Sequence, residues 1–261
     1  MRGESMHYMT SAYTDVGIKK KINQDAMTLL SVNTSLGEIV FAVLCDGMGG
    51  HSRGEFASGH MIRSLSEWFQ RELPMLLNQR CSLGDIQRSM KNCVCRNSER
   101  IFAFAKSQNL VIGTTLTAVL IIRDRYLGVH VGDSRLYLLD DTIRQLTTDH
   151  SYVARLVAQG VITKDQARRD ARRNLLLQSV GGSEKLNPQC FGGVVKESDV
   201  FLICCDGFYH EISEEEMYQC FSAKVLPSED KMKYRSRLMV DLAKERNETD
   251  NISILLVKAG E

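Results

Sequence analysis

The sequence predicts an α+β fold, a layered sandwich of antiparallel sheets covered by helices, and three observations predict it. Short apolar, β-branched runs recur along the chain, several are joined by only a few residues, and two longer segments carry a helical period instead. The runs at 26–32, 38–44, 115–122, 126–131, 135–139, 199–205 and 252–257 read as strands because Val, Ile and Leu fill them and polar or Gly residues bound them. The link Ile122-Arg123-Asp124-Arg125-Tyr126 has hairpin spacing, which favours antiparallel neighbours over crossovers. The run at 115–122 alternates only weakly, as expected of a strand covered on both faces. Ile62, Leu65, Phe69 and Leu73 follow helical spacing, with Trp68 beside them as a further core residue. Ile86, Met90, Val94, Ile101 and Ala105 do the same behind a Ser82/Asp85 capping box. A third helical region, 152–177, is interrupted by Gly160 and dense in arginine, so it is expected to project from the body.

Bulk properties narrow the function classes. A chain of 261 residues, 43% hydrophobic and 25% charged with 3 Pro, fits one large globular domain spanning 1–261. No Gly/Ser linker or long repeat divides it. Lys plus Arg is 33 against 32 Asp plus Glu, and a net charge of +1 supplies no pull toward nucleic acid or anionic membrane. The start MRGESMHYMT lacks an apolar leader core and no stretch approaches the ~18 apolar residues that span a bilayer, so a cytoplasmic location is expected. Cys45, Cys204 and Cys205 lie inside apolar runs and read as reduced core residues. The pairs Cys93/Cys95 and Cys204/Cys205 lack zinc-knuckle spacing, and no cysteine is followed six positions later by arginine, which excludes a cysteine phosphatase loop.

The chemistry lies in carboxylates at strand ends. FAVLCDG, ending at Gly47, and FLICCDG, ending at Gly207, are both apolar runs that stop in Cys-Asp-Gly. Glycine there permits a sharp turn and brings backbone carbonyl close to a ligand. Asp250-Asn251 precedes the run at 252–257, Gly132-Asp133-Ser134 lies between two runs, and Asn23-Gln24-Asp25 comes just before Ala26. Any one of these alone is an ordinary turn. A fold that converges Asp25, Asp46, Asp133, Asp206 and Asp250 has to offset their repulsion with cations. Oxygen ligands without Cys or His at ligand spacing select magnesium or manganese over zinc or copper. Two such ions a few Å apart yield a metal-bound hydroxide at neutral pH and hold a phosphoryl oxygen for in-line attack.

The segments TDVGIKKKINQDA (14–26), CDGMGGHSRGEFAS (45–58), GTTLTAVLI (113–121), HVGDSRLYLL (130–139), LTTDHS (146–151), CCDGFYHEIS (204–213) and DNISILLV (250–257), in this order, resemble the metal-dependent, type 2C protein serine/threonine phosphatases, particularly the short bacterial members. The resemblance spans nearly the whole chain. It implies a central antiparallel β-sandwich flanked by helices on both faces (α/β/β/α), with metals in a cleft at one edge and a flap subdomain at about 151–177. It implies a phosphoprotein phosphatase acting on phosphoserine and phosphothreonine, opposing a serine/threonine kinase, working as a monomer on two or three manganese or magnesium ions. Asp46 would bridge two metals, the Gly47 carbonyl would bind the second, and Asp206 and Asp250 would complete the first. Asp25 would act on the second through water, and Asp133 with Asp206 would form a weaker third site. By the same resemblance, Asp46 and Asp206 carry the catalysis.

Two positions depart from the family pattern. Where relatives carry a phosphate-binding Arg five residues before Asp25, this chain has Lys20, which keeps the charge but loses the guanidinium fork; the alternative is that Lys19-Lys20-Lys21 is a solvated basic turn. Where eukaryotic relatives carry a leaving-group His two residues after Asp46, this chain has Met48, with His51 nearby as a candidate acid or simply a loop residue. Thr114, Thr115, Ser134 and Arg135 read as residues that fix geometry rather than react. The basic segment 155–173, six Lys/Arg against two Asp, would steer acidic phosphopeptides or form a solvated face. Two other functions compete: a catalytically silent phosphoprotein-binding scaffold of the same fold, which is expected to lose metal-binding aspartates, and a metallonuclease, which needs a basic groove.

Overall fold

In the computed structural model, which describes residues 6–49 and 54–260, the elements follow one another as β1 (His7–Asp15), β2 (Ala26–Thr34), β3 (Gly37–Cys45), β4 (Gly47–Gly49), α1 (Gly54–Glu67), a π-helical turn (Trp68–Glu72), α2 (Leu73–Asn78) and α3 (Leu83–Ser107). Then come β5 (Ile112–Thr114), β6 (Leu116–Ile122), β7 (Arg125–Val131), β8 (Arg135–Leu139), β9 (Ile143–Gln145), α4 (Tyr152–Ala158) and α5 (Lys164–Arg169). The chain closes with β10 (Gln189–Val194), β11 (Val200–Cys204), α6 (Asp206–Tyr209), α7 (Glu214–Phe221), α8 (Glu229–Glu245) and β12 (Ile252–Gly260). Two antiparallel five-stranded sheets, β1-β12-β11-β8-β9 and β10-β7-β6-β3-β2, form the sandwich, and β4 pairs with β5 beside them.

Strand alternation explains the layering. Val40, Ala42 and Leu44 of β3 meet Leu136, Leu138, Phe201, Ile203 and Leu255 in the core between the sheets. The alternate residues Ile39, Phe41, Val43 and Cys45 face the opposite way, onto Met61, Leu65, Trp68, Met90 and Val94 of the helices. On the other side Ile252, Ile254 and Leu256 of β12 pack with Phe208, Phe221, Met232 and Val240. Each central strand is therefore apolar on both faces, and this accounts for the weak alternation at 115–122. The expected α/β/β/α order holds.

Differences from expectation have local causes. β1 has no counterpart among the expected strands, because it is a sheet edge in which only Tyr8 and Ser11 are buried and His7, Ala12 and Thr14 are exposed. β10 is obscured by Gly192-Gly193; its Phe191 ring covers Gly128 on β7, where any Cβ would collide with it. α8 buries Met232, Ser236, Met239, Val240 and Ala243 in a stripe diluted by charged neighbours. The helical region expected at 152–177 is two short helices. Gly160, at φ +70°, ends the first, and 171–177 is not helical. The Ser82/Asp85 capping box on α3 is present. Trp68 is buried and its ring N–H donates to Ser89 Oγ at 2.9 Å.

Candidate metal centre

The two Cys-Asp-Gly segments build different structures. β3 stops at Cys45, and Asp46 is the single residue between it and β4, which changes partner to β5. Asp46 is held through its backbone: its N–H donates to Thr115 Oγ1 at 2.9 Å, while its carbonyl accepts from Thr115 N at 2.8 Å and Thr114 Oγ1 at 2.9 Å. Gly47 makes no sharp turn. It is required because a Cβ there would collide with the backbone of Gln24 and Gly54. Asp206 does not end a turn either; it opens the short helix α6 behind Cys205, and a Cβ on Gly207 would strike the Asn251 carbonyl.

Loop 16–24 brings in the remaining parts. The Asn251 side chain clamps it, accepting from Gln24 N at 2.9 Å and donating to Val16 O at 2.9 Å and Ile22 O at 3.2 Å. Asn23 Oδ1 accepts from Asp25 N, which aims the Asp25 carboxylate inward. There Ser253 Oγ donates to Asp25 Oδ2 at 2.5 Å, and Thr14 Oγ1 lies 2.7 Å from Ser253 Oγ. Asp25 Oδ1 is buried with no hydrogen-bond partner.

All five aspartates come to one end of the sandwich and act on one another electrostatically. Burial, then Asp25, Asp206, Asp133 and Asp250, push the Asp46 carboxyl well above its ordinary value. Burial, with Asp206 and Asp250 adding to it against the Ser253 hydrogen bond, raises Asp25 to about 7. Burial and then Asp250 raise Asp206 to about 6. Asp133 is raised by burial and then by Asp206 and Asp149, with Arg135 opposing. Carboxylates so placed gain by holding cations, and the orphaned Asp25 oxygen is a ligand atom in need of a partner. The residues therefore fit hard divalent cations. Cys205 Sγ lies within 4.8 Å of the Asp25 and Asp46 carboxylates, but burial and these neighbouring charges push its thiol well above the ordinary value. Thiolate is a soft donor, whereas the clustered carboxylates are hard oxygen donors, so the set suits hard cations.

Lys20 reaches this cluster. Its ammonium donates to Asp250 Oδ1 at 2.9 Å. Burial would lower its pKa, but Asp250, then Asp46 and Asp206, raise it. Lys20 is thus no purely solvated turn residue. His51 lies outside the described residues. Arg135 serves geometry: it pairs with Asp149 at 2.7 Å and lies 3.6 Å over the Tyr209 ring. Ser134 Oγ is 2.7 Å from Thr115 Oγ1, which ties the Asp133 turn to the Asp46 support. The motifs alone do not reveal Thr14, Asn23, Asn251 and Ser253 as supports; the only signal is that Asn23, Asn251 and Ser253 lie within three residues of a candidate aspartate, and Thr14 has none.

The sequence matches the family described as Protein phosphatase 2C over residues 18–243. The chain belongs to the protein phosphatase 2C family. It is 32% identical over 219 residues to a serine/threonine phosphatase stp of Listeria innocua, covering 83% of each chain. The solved serine/threonine phosphatase of S. agalactiae superposes with a TM-score of 0.83 at 28% identity, covering 96% of this chain and 99% of that one. The catalytic domain of the phosphatase PstP, solved in complex with 2 manganese ions, gives a TM-score of 0.80 at 26% identity over 98% of this chain and 100% of that one. Membership in a phosphatase 2C family replaces the metallonuclease reading, and the five aspartates expected to be lost in a silent scaffold are all present at one end of the sandwich.

Proposed function

We propose that this chain is a metal-dependent protein phosphatase that hydrolyses phosphoserine and phosphothreonine on other proteins, acting in the cytoplasm as a monomer and opposing a serine/threonine kinase. The observation that carries the reading is the convergence of Asp25, Asp46, Asp133, Asp206 and Asp250, with one buried Asp25 oxygen left without a partner. Among the described residues, no helix is long and apolar enough to cross a membrane.

Asp46, Asp206 and Asp250, with the Gly47 carbonyl and Asp25, would hold two manganese or magnesium ions, and Asp133 with Asp206 a weaker third. Such ions, when bound, lower the pKa of coordinated water and neutralise charge on a phosphoryl group. The chain's own contribution is rigidity. Thr114 and Thr115 fix the Asp46 backbone, Ser253 and Asn23 fix Asp25, and Asn251 fixes the loop that carries Lys20. Lys20 would bind substrate phosphate by moving from Asp250 onto the incoming anion, a point-charge contact in place of a guanidinium fork. The flap at about 151–177 leaves and returns at adjacent points, since Tyr152 N donates to Leu175 O at 2.8 Å and Leu177 N to His150 O at 2.7 Å.

The test is release of phosphate from a phosphothreonine peptide with manganese, with EDTA and with Asp206→Asn. Turnover with manganese is expected to fall by at least ~100-fold in the other two arms while the circular dichroism of Asp206→Asn stays that of the wild type. Near-normal manganese-dependent turnover by Asp206→Asn refutes the metal assignment. No turnover by the wild type under any divalent cation would instead favour the silent scaffold.

A further inference from the structure

A cavity opens at the pole of the sandwich opposite the aspartates. β3 carries Asp46 beyond its C-terminal end, whereas Ile39, near its start, lines this cavity, so the two sites stand roughly 20 Å apart along the strand at ~3.3 Å per residue. The cavity holds about 1070 Å³, around the upper end of the ~300–1,000 Å³ usual for small-molecule sites. Its floor is apolar and belongs to the core, with Ile39, Phe69, Leu73 and Ile86 all buried. The protein itself covers that floor, and the accessible apolar surface above it is that of Val32, 43% exposed, Leu83, 36% exposed, and the half-buried Leu36 and Leu77.

Three arginines, Arg80, Arg123 and Arg125, stand at its rim with one acid, Asp124. Asp124 lies 4.0 Å from Arg125. Among the described residues Arg80 and Arg123 form no ion pair. Both have left-handed backbones, Arg80 at φ 55° and Arg123 at φ 57°. These are positions for glycine or asparagine: Arg80 follows the last turn of α2, and Arg123 sits in the two-residue turn between β6 and β7. A long side chain there strains the backbone, and strain of this kind gathers at ligand sites. The floor residue Phe69 lies in the π-helical turn, another irregularity common at functional sites.

We propose that this cavity binds a soluble amphipathic anion, an aliphatic chain bearing a carboxylate, with the chain along Val32, Leu36, Leu77 and Leu83 above the covered floor and the head group beside Arg80 and Arg123. Charge complementarity selects an anion, and apolar depth selects a chain behind it. A concave site entered from solvent takes a free molecule; a flat bilayer surface would not enter it. The site is separate from the aspartate cluster, so it does not depend on the phosphatase reading.

Dodecanoate below its critical micelle concentration is the probe, titrated calorimetrically and through the fluorescence of Trp68, the chain's one tryptophan and the neighbour of Phe69. Saturable one-to-one binding is expected, weakened at least tenfold in Arg80→Gly/Arg123→Gly. That variant removes both charges and relieves both left-handed strains, so its Tm should equal or exceed the wild type's, and lost binding could not be ascribed to unfolding. Its phosphate release from a phosphothreonine peptide should match the wild type's without ligand. Three results would overturn the proposal: no saturable binding, equal binding of butyrate or dodecanol, or unchanged affinity in the double variant. Binding to anionic vesicles without binding to free dodecanoate would overturn it too.

Discussion

Lys20 makes a 2.9 Å contact with Asp250 and is raised in pKa by that acid, then by Asp46 and Asp206, so its ammonium already sits where a phosphate would compete for it. Lys20→Ala is therefore expected to raise KM for a phosphopeptide about tenfold, the loss of roughly 1.4 kcal/mol of charge-assisted hydrogen bonding, with a smaller change in kcat. An unchanged KM from initial-rate kinetics would show that Lys20 merely neutralises Asp250. Thr115 acts through Asp46. Its hydroxyl accepts from the part-buried Asp46 N–H and lies against the buried Ser134 Oγ. Thr115→Val keeps the shape and orphans that N–H, so stability should fall by about 1–3 kcal/mol in urea denaturation. Activity should fall about 10–100-fold, as for partners that orient metal ligands, and added manganese should recover part of it if positioning is the cause. At this scale the aspartates are legible in the sequence because Asp-Gly after an apolar run is a local signal. Their supports are not: Ser253 meets Asp25 across 228 positions, and Asn251 meets Gln24 across 227. Those bonds exist only once β12 and loop 16–24 are neighbours.

Elements were legible where burial was two-sided. β3, β6, β11 and β12 stand out because both faces are apolar, one toward the other sheet and one toward helices. β1 and α8 pack against each other at the edge of the first sheet and each shows solvent a polar face, so neither stands out. The meaning of Asp-Gly was legible only in part, since neither glycine turns the chain; close backbone approach explains both. The flap poses the element-scale test. Arg155 and Arg172 lie over the Tyr152 ring at 5.3 and 4.8 Å, and Arg172 also pairs with Asp170 at 2.7 Å. Part of its positive charge is thus engaged within the flap, while Lys164, Arg168 and Arg173 face a cavity shared with Tyr209 and His210. Replacing residues 152–176 with a short Gly/Ser turn should lower kcat/KM for an acidic phosphopeptide about tenfold or more, and turnover of a small aryl phosphate much less. Equal losses on both substrates would assign the flap a structural role alone.

Across the whole molecule, two sets of buried titratable groups oppose each other, and cations decide which one governs stability. Asp25 and Asp206 sit at about 7 and about 6 when folded, above their ordinary 3.8, chiefly through burial. The folded chain without metal therefore binds more protons than the unfolded chain between about pH 4 and 7, and these groups lower its stability as pH rises through that window. His130 and His210 run the other way. Burial and then the His150 charge push His130 to about 3, while burial and then Arg173 push His210 to about 4, both from 6.5. Their unfolded forms take up protons first, so their contribution is lost as pH falls below about 6.5. Between pH 6.5 and 7.5 both sets still change, the aspartates lowering stability and the histidines raising it, and bound cations would keep the aspartates ionised at little cost. The histidine contribution is common to both forms, so the Tm in manganese should rise slightly from pH 6.5 to 7.5, the Tm in EDTA should not keep pace, and the gap between them widens with pH. Below pH 6.5 the manganese form should lose stability through the histidines. Asp46→Asn removes one buried charge, so in EDTA at pH 7.5 it should melt above the wild type, and in saturating manganese below it, because the wild type gains more from binding. Thermal unfolding with and without manganese across this range decides the matter: a gap that stays constant with pH, or an Asp46→Asn curve that never crosses the wild type's, would mean that these carboxylates do not share a cation.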